Sequence, residues 1–211
     1  NVLLVTVDSL RADHTGCVAD PAVETPSIDR IADGGASFST AVSQGPFTTF
    51  SMPSLFTSRY PSGLYYTEYD DGAIVGVSIG DERTLTEAFR EAGYETAGFH
   101  SNPLLSDLFG FDRGFDAFDA DLPFGSSDVS QWKLLLTKAR RLLRKHAYLP
   151  ARKLTDRNLA WVDERDGDGP FFLWTHYMDP HGPYQTGSGV ALGYYEKVRA
   201  ERLWQKAVHD P

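Results

Sequence analysis

Asp8 directly follows Val2 to Val7, a short apolar run rich in β-branched residues. Such a run reads as a strand buried on both faces, and open α/β sheets bind ligands at the C-terminal ends of their strands. A carboxylate there is a metal ligand, a nucleophile or simply a loop-capping group. Thr48 stands just ahead of a helix-forming stretch near Ser51 to Thr57. A threonine there reads plainly as a helix cap, and a hydroxyl of this kind is too weak an acid to react unless a metal activates it. Thr49 and Ser51 offer hydroxyls beside it. His181 lies in the segment THYMDPHGPY at 175 to 184, stiffened by Pro180 and Pro183. A histidine titrating near neutrality suits hydrogen-bond donation or acid catalysis, and His176 and Asp179 have weaker claims. His100 and Asn102 close another apolar run, where a structural role for the histidine is equally open.

These residues need rigid elements to hold them. Thr25 and Pro26 start a helix through about Ala32, with threonine as cap and proline at the first position, and Gly34 and Gly35 stop it. A strand near Ala36 to Val42 is expected next. Residues 60 to 83 read as a long loop with one short strand at Ile74 to Val77. Thr84 and Glu87 form a capping box for a helix over Leu85 to Ala92, which Gly93 ends before the run Tyr94 to His100. A helix near Arg152 to Glu164 then passes through Asp166-Gly167-Asp168-Gly169 into the run Pro170 to Tyr177. This strand, helix, strand rhythm predicts an α/β fold with a mainly parallel sheet.

Five segments sharpen the reading: VDSLRAD at 7 to 13, TPSIDRIADGGASF at 25 to 38, TTFSMPSLFTSRYP at 48 to 61, TLTEAFREAGYETAGFHSN at 84 to 102, and THYMDPHGPY at 175 to 184. Their order resembles that of the sulfatase family in the alkaline phosphatase superfamily, and FGFDRGFDAF at 109 to 118 resembles a stretch of prokaryotic sulfatase-like proteins. The resemblance implies an alkaline-phosphatase-like sheet sandwiched by helices and truncated on its C-terminal side. It implies a metal-dependent hydrolase of sulfuric esters acting on an anionic substrate. Asp8, Ser9 and Thr48 fall at metal-ligand positions, Thr48 at the nucleophile's place, and His181 where a histidine faces the ester. Ser51, His100 and Asn102 are the candidate substrate contacts. The cation implied is divalent, calcium first, with magnesium, manganese or zinc as alternatives.

The sequence also departs from that pattern. Ser9 stands where a second aspartate is usual, Met52 where an arginine follows the nucleophile, and Ser101 and Pro103 where a lysine and a histidine grip sulfate. A threonine cannot give the formylglycine that sulfatases make from cysteine or serine. It resembles instead the nucleophile of relatives that transfer phosphoethanolamine or phosphoglycerol through a phosphothreonine. The later Asp-His or Asp-Asn pair that completes the metal site does not appear before Pro211, and His209-Asp210 is reversed. The expectation is therefore one incomplete catalytic domain over 1–211, with phosphate-ester chemistry and a catalytically incomplete fragment as the alternatives.

The formal charge of -9, from 20 basic and 29 acidic residues, argues against general nucleic-acid binding. Residues 131 to 153 run against this average, with 8 basic residues and no acidic one. Trp132, Leu135, Leu136, Ala139 and Leu143 recur there at helical spacing, so a basic amphipathic insertion or lid is expected at about 120–150. With Cys17 as the one cysteine, no intrachain disulfide forms, and a small packed role is expected for it. No apolar run is long enough to span a membrane, and the sequence favours the cytoplasm while leaving the oligomeric state open.

Overall fold

Val2–Val7 forms strand β1 in the computed structural model, which describes residues 1–19, 24–68, 74–121 and 148–182. Its neighbour is the last apolar run, Phe171–Tyr177, here β6. Between them in sequence come β2 (Tyr65–Glu68), β3 (Ile74–Ser78), β4 (Glu95–His100) and β5 (Ala117–Asp119). The main sheet has the order β1-β6-β4-β5, every pair parallel, and β2 and β3 pair separately as an antiparallel hairpin. The helices are α1 (Pro26–Gly34), α2 (Thr48–Thr57), α3 (Leu85–Glu91) and α4 (Ala151–Asp163). The expected α/β architecture holds, with helices on the sheet's two faces.

Alternation along β6 divides the core. Phe172 and Trp174 join Met52, Phe56, Leu105, Phe109 and Phe111 on the face covered by α2 and α3. Leu173 joins Ala97, Phe99 and Leu154 on the face covered by α4, where Asn158 Nδ2 also donates to Thr175 Oγ1 at 2.9 Å. β1 is half-buried on the face of Val2 and Leu4, which pack on the aromatic core, while Leu3 and Val5 are exposed on the other. The strand expected near Ala36 to Val42 is instead an exposed irregular stretch with no paired strand among the described residues. Its Phe38 and Val42 point outward, so apolar character alone does not make a strand without a partner. The loop expected at 60 to 83 contains the β2–β3 hairpin rather than one strand. Cys17 is exposed, not packed, its backbone N–H donating to Asp29 Oδ1 at 2.9 Å. Thr25 sits at the cap of α1, yet its hydroxyl bridges the Gly16 N–H and Asp29 Oδ1 instead of capping.

The capping box of α3 forms as expected: Thr84 Oγ1 accepts from Glu87 N at 3.0 Å, and Glu87 Oε2 accepts from Thr84 N at 2.8 Å. Glu87 also takes three hydrogen bonds from the Arg113 guanidinium, at 2.8, 2.9 and 3.2 Å. Gly114 makes this junction fit, since at φ +81° an added Cβ would lie 2.5 Å from the Glu87 backbone nitrogen. FGFDRGFDAF is thus a structural clasp between α3 and β4–β5. Burial pushes the Glu87 carboxyl up, but the Thr84 N–H and Arg113 outweigh it and hold the group below its ordinary 4.5. A depressed folded pKa stabilises above the unfolded value and loses that contribution as pH falls through the folded one. Acid unfolding of Glu87→Gln, followed by circular dichroism, is expected to show a shallower loss of stability below about pH 4.5 than the parent; identical acid profiles would count against the clasp.

Residues 131–147 of the basic segment lie outside the described residues, as do His209 and Asp210, while Arg152 and Lys153 fall in the first turn of α4. No helix among the described residues is long and apolar enough to cross a membrane.

Candidate active site

Strand register assembles the site. Thr6 pairs with His176, and His176 with His100, so these side chains form a row across β1, β6 and β4. Side chains alternate along a strand, which turns this row and Trp174 toward the face carrying α2. Asp8 continues the ladder past the end of β1, its N–H donating to Tyr177 O at 2.9 Å. It therefore lies on the same face as Thr6, one step nearer the sheet edge. Asn102 stands at the corresponding place beyond β4.

Thr48 reaches this point from α2. It is the first residue of the helix, with Phe47 at the N-cap position, so it does not cap. Thr48 Oγ1 donates to Asp8 Oδ2 at 2.9 Å across a sequence separation of 40 residues. Asn102 Nδ2 donates to the same oxygen at 3.4 Å, and Ser9 Oγ donates to Asp8 Oδ1 at 2.9 Å. Ser9 adopts a left-handed φ of 58°, the sharp turn by which the chain leaves β1. His176 Nε2 stands 3.4 Å from Asp8 Oδ2, just beyond a hydrogen bond. Burial pushes the Asp8 carboxyl up, but His176 and the Thr48 and Ser9 hydroxyls more than offset this and hold it at about 2. At neutral pH it is a carboxylate.

A cleft of about 620 Å³ opens over Asp8, Ser9, Thr48 and Ser51 and is walled by residues 41–47, Met52 and Leu55. Ser51 lines it, although its hydroxyl already donates to Phe47 O at 3.1 Å. Met52 is largely in the core with Phe56 and Trp174, which accounts for an apolar residue at that place.

His100 is not brought to the cleft. It is fully buried, its ring 5.1 Å from Trp174 and 5.3 Å from Phe118. Its Nδ1 accepts the Asn102 N–H at 3.2 Å, so it shapes the turn that presents Asn102. Burial is the main reason its pKa falls to about 3, leaving the ring neutral. His181 is placed in the loop after β6, with its ring against Tyr148 and Nδ1 2.6 Å from Gly182 O. A carbonyl only accepts, so Nδ1 carries the proton, and Nε2 donates only in the imidazolium form. Asp179 accepts from Ala151 N at 3.0 Å and so serves the start of α4. His176, rated below His181 on sequence, is the histidine that meets Asp8. Its signal was the two-residue spacing from Trp174 on an apolar run, which is readable as a site only once β1 is known to be its neighbour.

The donor set fits one side of a hard-cation site, with the Asp8 carboxylate and the Thr48 hydroxyl oxygen in contact at the mouth of a cleft. It does not make a whole one. Among the described residues no three His, Cys, Asp or Glu gather, and a hard cation takes about six oxygens.

A parallel sheet flanked by helices defines an α/β protein, and a carboxylate and a hydroxyl meet beyond the C-terminal end of β1, the end at which such sheets bind ligands. The chain belongs to the sulfatase family, whose model, described as Sulfatase, matches residues 1–201. It is 24% identical to the uncharacterized sulfatase YidJ of Escherichia coli (strain K12), over 100% of this chain and 47% of that protein. It is 24% identical to an arylsulfatase of Clostridium perfringens (strain 13 / Type A), over 87% of this chain and 44% of that enzyme. Among solved structures, BT4656 in complex with its substrate D-glucosamine-2-N,6-O-disulfate superposes with a TM-score of 0.63 at 19% identity, covering 88% of this chain and 35% of that one. That likeness establishes the shared fold. The chain spans about half the length of the curated relatives it matches.

Proposed function

We propose that this chain carries the nucleophile side of a sulfuric-ester hydrolase, with Thr48 as the attacking group and Asp8 as its anchor. The observation that carries this reading is the 2.9 Å hydrogen bond from Thr48 Oγ1 to Asp8 Oδ2. Asp8, ionised at neutral pH, orients the hydroxyl toward the cleft. Thr48 opens α2, and the amides of a helix's first turn favour an anionic group beside it. Asn102 and Ser9 steady the carboxylate from two sides. His181 is proposed as the group facing the ester or leaving oxygen, and Ser51 as a substrate contact. Asp8 and Thr48, with Ser9 adjacent, would hold the divalent cation expected from the family, calcium ahead of magnesium, manganese or zinc, whose chemistry is to acidify the hydroxyl and offset the charge of the ester.

A specific observation favours a second reading. The group on Asp8 is a threonine hydroxyl, which cannot become formylglycine, and the place usual for arginine is filled by the core residue Met52. Both suit phosphate-ester hydrolysis or transfer through a phosphothreonine. Hydrolysis of an aryl sulfate and an aryl phosphodiester, each with calcium, magnesium, manganese or zinc, separates the two. Metal-dependent release from the sulfate alone supports the first reading, release from the diester alone supports the second, and no release from either by the folded chain sinks both for this chain.

A further inference from the structure

The carboxylate at the centre of the site is approached from the core by a line of polar groups that the proposed reaction does not use. Trp174, fully buried, donates its Nε1–H to Thr6 Oγ1 at 3.0 Å. Thr6 Oγ1 in turn lies 2.9 Å from His176 Nδ1 and 3.3 Å from Thr175 O. His176 is itself buried, and its Nε2 has no hydrogen-bond partner although Asp8 Oδ2 is 3.4 Å away. A buried polar atom left without a partner costs about 1–3 kcal/mol, so its presence asks for a reason.

Counting protons supplies one. The Thr6 hydroxyl has one proton and two lone pairs, and Trp174 occupies a lone pair. If the hydroxyl proton went to Thr175 O, His176 Nδ1 would have to donate to Thr6. A neutral ring would then aim the Nε2 lone pair at the carboxylate, setting two electron-rich atoms face to face, and only a doubly protonated ring would avoid that. If the proton goes to Nδ1, the shorter contact, Nε2 carries the ring proton and points it at Asp8 Oδ2. Every group in the line then donates in the same direction, and such chains strengthen one another.

We infer that Trp174, Thr6 and His176 form a one-way hydrogen-bond relay ending on Asp8, which makes His176 a positioning residue for that carboxylate. The inference rests on the reading of Asp8 as the centre of the site, but its test needs no turnover. Ring-nitrogen NMR of the ¹⁵N-labelled full chain, with His176 identified through His176→Gln, reads the tautomer directly. The expected result is an unprotonated Nδ1 and a protonated Nε2. Asp8→Asn is expected to shift the Nε2 resonance, and Thr6→Val to shift Nδ1, with Thr6→Ser restoring it. A protonated Nδ1, in a neutral or a charged ring, overturns the relay, and so does an Nε2 resonance that ignores Asp8→Asn. Should Thr6→Val fail to fold, the Asp8→Asn comparison decides by itself. A chain that hydrolyses neither ester yet shows these shifts sinks the proposed reaction and leaves the relay standing.

Discussion

Thr48→Ala is expected to lower turnover of the preferred ester by on the order of 10³ to 10⁶-fold, the range seen when a covalent nucleophile is removed and only binding and charge stabilisation remain. The substitution deletes one hydroxyl and keeps a good helix former at the first position of α2, so the fold should be unchanged. Thr48→Ser keeps a hydroxyl within reach of Asp8 and is expected to retain measurable activity. Steady-state rates for the parent and both variants, with circular dichroism to confirm folding, check the prediction. Parent-like turnover from Thr48→Ala would falsify the role of this threonine and move attention to Thr49 or Ser51.

The second large effect is on stability. Trp174 has no exposed surface, and it packs against Phe56 at 4.7 Å, His100 at 5.1 Å and Phe115 at 6.0 Å between ring centres. Truncating a fully buried tryptophan costs about 3–5 kcal/mol, which for a chain of this size is a fall in Tm of roughly 6–20 °C. Trp174→Ala is therefore expected to unfold far earlier than the parent in a thermal melt. Trp174→Phe retains most of the packing and loses the N–H to Thr6, so a smaller loss of about 1–2 kcal/mol is expected. Equal losses from the two would mean that the hydrogen bond, not the packing, dominates at this position.

Much of the scaffold was legible because it is local. The Thr84–Glu87 capping box depends on groups within one helical turn, and it forms. Glu95–His100 and Phe171–Tyr177 are short stretches with an apolar centre between turn signals, and both are strands. The errors fall where local character met a missing or unforeseen neighbour. Val2–Val7 was read as covered on both faces, but Leu3 and Val5 are exposed. Ala36 to Val42 had strand-like residues and no strand to join among the described residues. Tyr65–Glu68 was missed because a short polar strand is defined by its antiparallel partner, Ile74–Ser78, more than by its own composition.

The same division runs through the site. The sequence alone determined that a carboxylate would end the first strand, that a hydroxyl would open the helix beginning near residue 48, and that the ordered segments around them are those of a sulfatase. These follow from residue type and near-neighbour spacing, which chain connectivity preserves. Long-range packing sets the rest: Thr48 donates to Asp8, His100 is withdrawn into the core, and His176 faces the carboxylate instead. Those outcomes depend on the parallel pairing of β1 with β6 across roughly 170 residues. A slip of β1 by one residue would have turned Thr6 and Asp8 to the other face of the sheet, and no spacing within either strand reports which register is taken.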